Sequence, residues 1–338
     1  MIKVGIIGSG FGLYGLLPAF NSTPGCKVVS IYGEKTDRLL SYCEKIGLKK
    51  IYTDWKKMLD NEQLDAIAIA VPPNVQYEIA KVALGMRIHI LAEKPLAATY
   101  RQARELLDLA REKKIIHAID FIFPEIEQWK KVKEMIDKKT FGKLRQIFLN
   151  WDFQSYDIKN KKSSWKTDTK EGGGALSFYF SHSLHYLEYF AGKILNFESL
   201  LSYSKESLNG ADTGVDLLLK FENSTTGYAH LCCNVSGLNR HQLIFICEKG
   251  TIVLENENRI TANFTIKIHT ENNTKQLPIP HKHAIKTDED ERVGVLKKLT
   301  SRFISSIINK NELTPSFEEG LRVQKLIEEI RAANNRYD

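Results

Sequence analysis

Apolar residues recur along this chain in two different rhythms. Up to about residue 120 they come as short unbroken runs, Lys3 to Gly8, Val28 to Tyr32, Ala66 to Val71, Arg87 to Ala92 and Ile115 to Ile119. Runs of this kind predict strands buried on both faces, as in a parallel sheet covered by helices. Helical patterns lie between them. The clearest is Thr99 to Lys113, where Thr99 and Gln102 predict a capping box ahead of Ala103, Leu106, Leu107 and Ala110 on one face. The βαβα order predicts right-handed crossovers and a doubly wound sheet, with a ligand expected outside the carboxyl ends of the strands.

Beyond residue 120 the rhythm changes. One helical stretch, Glu125 to Lys138, is followed by period-two patterns: Ile147, Leu149, Trp151 and Phe153 alternate with Phe148, Asn150, Asp152 and Gln154. Val215, Leu217, Leu219 and Phe221 repeat the pattern, and turn signals at Asn223-Ser224, Lys249-Gly250 and Asn272-Asn273 divide the rest into hairpins. Half-buried antiparallel strands follow from this, in a sheet open on one face. A last helix, Phe317 to Arg331, comes after Thr314-Pro315-Ser316. The expected fold is therefore α/β: an N-terminal domain over 1–120 with a doubly wound parallel sheet, and a C-terminal α+β domain over 121–338 with a largely antiparallel open sheet. The second domain is expected to bind substrate and to oligomerise, and the final helix has the option of packing back on the first.

Composition narrows the class. With 43% hydrophobic and 26% charged residues over 338 positions, the chain reads as globular and long enough for two domains. No apolar run approaches the roughly 18 residues of a membrane span, and Met1 leads straight into Ile2-Lys3-Val4 without a signal-peptide pattern, so a cytoplasmic protein with no membrane partner is expected. Five cysteines without CxxC spacing read as reduced structural thiols and not as a disulfide framework or zinc site. The net charge of +7 is spread over scattered lysines, with Lys159 to Lys162 the one tight cluster, which argues against a nucleic-acid partner.

The first strand runs directly into Gly8-Ser9-Gly10-Phe11-Gly12. Gly8 suits a tight turn, Gly10 lets backbone amides approach a pyrophosphate, and the start of the following helix adds partial positive charge, so this loop predicts a Rossmann dinucleotide site. Leu13 stands at the third fingerprint position. Pro18 predicts a kink or a short first turn. After the second strand, Glu34 could accept from the ribose hydroxyls of NAD, whereas Lys35 could pair with the extra phosphate of NADP; the balance leans to NAD.

Later motifs carry a resemblance. Val71-Pro72-Pro73-Asn74-Val75-Gln76 follows the third strand, Glu93-Lys94-Pro95 the fourth, and Ser164-Trp165-Lys166-Thr167, Gly172-Gly173-Gly174, Ser181-His182 and Pro315-Ser316-Phe317-Glu318-Glu319-Gly320 come after them in order. The chain resembles the glucose-fructose oxidoreductase / inositol dehydrogenase (Gfo/Idh/MocA) family over essentially its whole length. The resemblance implies an NAD(P)-dependent oxidoreductase of a sugar, nucleotide-sugar or cyclic polyol. It implies a cofactor site of Gly8, Gly10, Phe11, Gly12, Glu34, Lys35, Val71, Pro72, Pro73, Gln76, Glu93 and Lys94. Lys94 and His182 would be catalytic, with Trp165, Lys166, His185 and Tyr156 as substrate contacts and a homo-oligomer formed through the second sheet. The family also contains glycosidase-type enzymes that retain their cofactor, and a non-catalytic dinucleotide sensor is a further alternative.

Chemistry supports the two catalytic candidates. Oxidising a secondary alcohol needs a group to manage the hydroxyl proton, and a desolvated lysine or a histidine can do so. The pattern departs from the family at one place: aspartates commonly stand four residues before and three after the histidine, where this chain has Phe178 and His185. On one continuous helix Phe178, His182, His185 and Tyr189 would share a face. A metal held by His182, His185 and Glu188 lacks a recognisable further ligand, so none is expected.

Overall fold

The computed structural model describes residues 1–207, 209–279 and 289–334. They form two compact units. The first is Met1–Ile122 with the described part of Ile285–Gln324; the second comprises the described parts of Phe123–Ala284 and Lys325–Asp338. This division differs from the expected 1–120 and 121–338. The reason is packing: the helix Val293–Asn309 buries Leu296, Leu299, Phe303 and Ile304 in the same core as Leu16, Phe20 and Ile31. Residues 280–288 and 335–338 of the expected second domain lie outside the described residues.

In the first unit, β1 (Ile2–Ile7), β2 (Cys26–Tyr32), β3 (Ile51–Tyr52), β4 (Ala66–Ile69), β5 (His89–Ala92) and β6 (His117–Ile119) form one sheet in the order β3-β2-β1-β4-β5-β6. Every pairing is parallel. The order reverses at β1, so the loops after β1 and β4 stand at the switch point where doubly wound sheets bind ligands. Two-residue β3 is too short to leave a hydrophobic run and has no counterpart among the expected strands. The capping box forms as expected: Gln102 N–H donates to Thr99 Oγ1 and Thr99 N–H to Gln102 Oε1, each at 3.2 Å. Pro18 falls in the first turn of a short helix, Leu17–Asn21, preceded by a π turn over Gly12–Leu16. The helical backbone runs unbroken from the π turn into Leu17 and Pro18, so the missing N–H falls inside a continuous segment, where the wider π turn gives way to α.

The second unit is built on one eight-stranded sheet. Its strands are β7 (Leu144–Asp152), β8 (Ile194–Tyr203), β9 (Asp212–Phe221), β10 (Thr226–Cys232), β11 (Arg240–Cys247), β12 (Gly250–Glu257), β13 (Thr265–Thr270) and β14 (Asn273–Leu277), in the order β14-β13-β12-β11-β7-β10-β9-β8. All neighbours are antiparallel except β7 and β10. That pair is parallel because the helices after β7 carry the chain to the sheet edge, and the β8-β9-β10 meander returns it alongside β7. The last hairpin turns at Glu271-Asn272, one residue before the expected Asn272-Asn273, since Thr270 pairs with Asn273. Ile147, Leu149, Val215, Leu217, Ala229, Leu231, Leu243, Phe245, Ile252 and Leu254 fill the buried face. On the other face Leu218, Tyr228, Phe148, Ile244 and Val253 line up in register as an apolar row across five strands.

Candidate active site

The first unit supplies the dinucleotide half. Gly8 has φ +120°, and a Cβ there would stand 2.2 Å from the Ala70 carbonyl oxygen, so only glycine fits the turn out of β1. A Cβ at Gly10 would meet nothing within 4 Å. The loop therefore has one glycine forced by the sheet and one whose bareness serves whatever approaches from outside, which suits a pyrophosphate. Gly12 is buried, the Phe11 ring lies against Gly15, and the Arg292 guanidinium stands 4.2 Å from the centre of that ring. At the end of β2, Gly33 has no room for a side chain because a Cβ would come within 2.6 Å of Ser9 Cβ. Glu34 and Lys35 are both exposed beyond it.

The proline-bearing loop and the Glu-Lys-Pro turn are joined by one side chain. Val71 and Pro72 are half-buried, and buried Pro73 opens the helix Pro73–Gly85. One turn on, Gln76 is 1% exposed. Its Nε2 donates to the carbonyls of Glu93 (2.7 Å), Pro95 (3.1 Å) and Leu96 (3.1 Å), and its Oε1 accepts from Glu93 N–H (3.1 Å). Gln76, expected as a cofactor contact, thus spends its amide on shaping the turn that carries Lys94. The Glu93 carboxylate accepts from Lys94 N–H at 3.0 Å. Lys94 itself is 8% exposed at the carboxyl end of β5.

Two residues beside this turn were not anticipated. Asp120, at the end of β6, is 3% exposed, and burial together with the neighbouring Glu93 pushes its carboxyl well above the usual range while Lys94 and Arg292 oppose the shift. A lone acid within Ala118-Ile119-Asp120-Phe121-Ile122 was the available signal. Arg292, clasped by Asp290 at 2.8 Å through both Nε and a terminal nitrogen, comes from a remote segment that no local pattern flags.

The second unit carries the other candidates. Ser164 caps the turn Trp165–Thr167, and the Trp165 indole meets the Phe178 ring edge-on at 5.4 Å while Lys166 Nζ lies 4.4 Å over that ring. The expected single helix is broken at Tyr179 into Ala175–Phe178 and Phe180–Ala191, so Phe178 and His182 do not share a helix. Aromatic contacts with Trp165 and Tyr179 hold Phe178 where a carboxylate was expected. His182 meets the Phe123 ring edge-on at 5.2 Å. Burial pushes the His185 imidazole down to about 3, which keeps it neutral. Tyr156 is 64% exposed on its own short helix, where its hydroxyl accepts from Lys162.

The glycine run is locked by residues far along the chain. A Cβ at Gly173 would be 2.0 Å from the Trp165 carbonyl oxygen, and one at Gly174 would be 2.0 Å from Asp212 Oδ1. The Asp212 carboxylate accepts from Leu176 N–H at 2.7 Å, capping a helix whose own N-cap is glycine. Arg331 donates to the carbonyls of Gly172 (3.2 Å) and Gly173 (2.6 Å) and to Ser177 Oγ (2.7 Å). The close approach that these glycines permit is that of the protein's own groups. Among the described residues no cluster of His, Cys, Asp and Glu suits a metal ion.

A glycine turn at the switch point, with a buried lysine two strands away in the same sheet, is the arrangement expected of a dinucleotide-dependent oxidoreductase. Comparison with known proteins gives the family. Residues 2–121 match the model of the oxidoreductase family with an NAD-binding Rossmann fold, and residues 129–253 match the GFO/IDH/MocA C-terminal domain. The chain belongs to the Gfo/Idh/MocA family of NAD(P)-dependent oxidoreductases. It is 26% identical to an uncharacterized oxidoreductase of Synechocystis sp. over 98% of this chain and 94% of that one. It is also 26% identical to the levoglucosan dehydrogenase of Pseudarthrobacter phenanthrenivorans, over 60% of this chain and 54% of the relative. Among solved structures, levoglucosan dehydrogenase in complex with NADH and levoglucosan has the same fold, with a TM-score of 0.86 at 19% identity over 100% of this chain and 98% of that one. So does KijD10, a 3-ketoreductase from Actinomadura kijaniata in complex with TDP-benzene and NADP, with a TM-score of 0.80 at 21% identity over 98% of each chain.

Proposed function

We propose that the protein oxidises or reduces a sugar, nucleotide-sugar or cyclic polyol, with Lys94 and His182 managing the proton of the reacting hydroxyl. The observation that carries this reading is Lys94, a lysine 8% exposed in a turn held by four hydrogen bonds with Gln76, in the unit that bears the glycine loop. A bound nicotinamide supplies the hydride acceptor or donor. Lys94 would take up the hydroxyl proton or hold it by hydrogen bonding, a task for which a largely desolvated amine is suited. His182 would hydrogen-bond the same hydroxyl. Phe178 offers it no negative charge, so Lys94 carries the larger share of the proton transfer.

Trp165, Lys166, His185 and Tyr156 are the candidate substrate contacts; an indole offers a flat face to a sugar ring. The cofactor is NAD or NADP, with Glu34 favouring NAD and Lys35 favouring NADP. Relatives solved with NADH and levoglucosan, and with NADP and TDP-benzene, support a carbohydrate-like substrate. The reading also includes a cytoplasmic location and self-association through the open sheet face. Its support is the apolar row from Leu218 to Val253 and the exposure of Leu200 and Leu218, at 62% and 59%.

The test is to incubate the purified protein with oxidised or reduced NAD and NADP and a panel of sugars, nucleotide-sugars and cyclic polyols while following nicotinamide absorbance. Turnover of at least one panel member is expected. A folded protein that binds the cofactor and turns over none of them would contradict the reading.

A further inference from the structure

The carboxyl ends of β5 and β6 bring together two acids that the reaction as described leaves unused. Ala92 and Ile119 are register partners, and Asp120 donates its backbone N–H to the Ala92 carbonyl at 2.9 Å, so Glu93 and Asp120 follow side by side on adjacent strands. Asp120 is 3% exposed, and its Oδ1 has no hydrogen-bond partner among the described residues. Glu93 already gives one carboxylate oxygen to Lys94 N–H. The charged groups acting on the Asp120 carboxyl come from two elements: Glu93 and Lys94 from the end of β5, and Arg292 from the turn before the helix Val293–Asn309. Arg292 is itself largely neutralised by Asp290, which leaves less positive charge to support an anion at Asp120 beside Glu93.

A buried carboxylate beside a half-buried one is repelled by it and loses its own hydration, whereas a carboxylic acid can donate to a neighbouring carboxylate. We propose that Asp120 is a positioning residue of the reaction: it stays a neutral acid, donates to the Glu93 carboxylate, and so fixes one negative charge, not two, beside Lys94. Glu93 is then held from two sides, by the Asp120 hydroxyl and by Lys94 N–H, while Gln76 holds the same turn through its carbonyls. The arrangement fixes the backbone from which the Lys94 side chain departs and sets the electrostatic field its ammonium experiences. This proposal rests on the reading of Lys94 given above.

Substitution with asparagine separates a neutral acid from an ionised one, because the amide keeps the shape, the neutrality and a donor for Glu93. Asp120→Asn should hold kcat within about 3-fold of the parent, whereas Asp120→Ala should lower kcat by about 10-fold or more with cofactor affinity unchanged. Infrared spectra at pH 7 provide a readout free of turnover: the C=O stretching band of a protonated carboxyl should be present in the parent and missing from Asp120→Asn. If Asp120→Ala fails to fold, the asparagine variant and the infrared band decide. Asparagine as damaging as alanine, alanine as active as the parent, or no protonated-carboxyl band lost on substitution would each overturn the proposal. If Lys94→Met leaves turnover intact, it is the reading of Lys94 that fails, and the infrared band still reports the state of Asp120.

Discussion

Two glycine-bearing turns, one in each unit, are forced by different kinds of neighbour. A Cβ at Gly8 would collide with the backbone oxygen of Ala70, while a Cβ at Gly174 would collide with the side chain of Asp212. The first constraint comes from the sheet itself, since parallel pairing of β1 with β4 brings the two strand ends together whatever their side chains are. The second comes from one particular carboxylate that β9 places there, added to a φ of +113° that by itself favours glycine. Their outlooks differ too. A Cβ added at Gly10 would enter open space, whereas the glycine run from 172 to 174 is occupied by Arg331, Asp212 and the Trp165 carbonyl. One turn leaves room beside it for a ligand; the other is filled by the protein's own groups.

The comparison can be broken by substitution. The largest effect is expected at Lys94, where Lys94→Met should lower kcat by roughly 100-fold or more and leave cofactor affinity within a few-fold, because proton management acts in the transition state. Steady-state kinetics beside a binding titration checks both halves of that statement. Next comes Gly10→Val, which should weaken NADH and NADPH binding by about 10-fold or more, roughly 1.4 kcal/mol, while the urea midpoint stays put, since the added side chain enters open space. Arg331→Ala should do the reverse in the second unit. Losing three hydrogen bonds to the glycine turn should cost about 1–3 kcal/mol of stability and raise the substrate KM, with cofactor affinity unaltered.

The smallest effect is one of pH. His185 and His241 are both pushed down to about 3 by burial, from an ordinary 6.5, so both are neutral when folded and gain protons on unfolding in mild acid. Their contribution is fully present above pH 6.5 and is lost as the pH falls toward 3, by up to about 1.4 kcal/mol per pH unit for each histidine. Urea midpoints should therefore drop between pH 7 and pH 5, and a flat profile would show that these imidazoles are already charged in the folded state.

The same contrast explains what the sequence made legible. Strands β1, β2, β4, β5 and β6, the capping box at Thr99 and the glycine turn all rest on neighbours close in sequence or on the period of a buried sheet. Asp212, Arg331 and Arg292 act across long stretches of chain, and a single sequence carries no record of such pairings. Gln76 shows an intermediate case: its place after the proline loop marked it, but the strand-end carbonyls that take up its amide become visible only when β4 and β5 are paired. The break at Tyr179 was hidden for another reason. No glycine or proline in Leu176 to Phe180 marks a break, and the interruption lies in a segment gripped by Asp212 and Arg331 from outside.

The central claim, that the first glycine turn is a ligand-receiving site for a nicotinamide dinucleotide, is tested most directly by titrating the protein with NADH and NADPH while following energy transfer from its tryptophans. Saturable transfer with at least one of them, weakened in Gly10→Val and unchanged in Arg331→Ala, is the predicted result. A folded parent protein that gives no saturable signal with either nucleotide, and shows no binding of either by calorimetry, would contradict it.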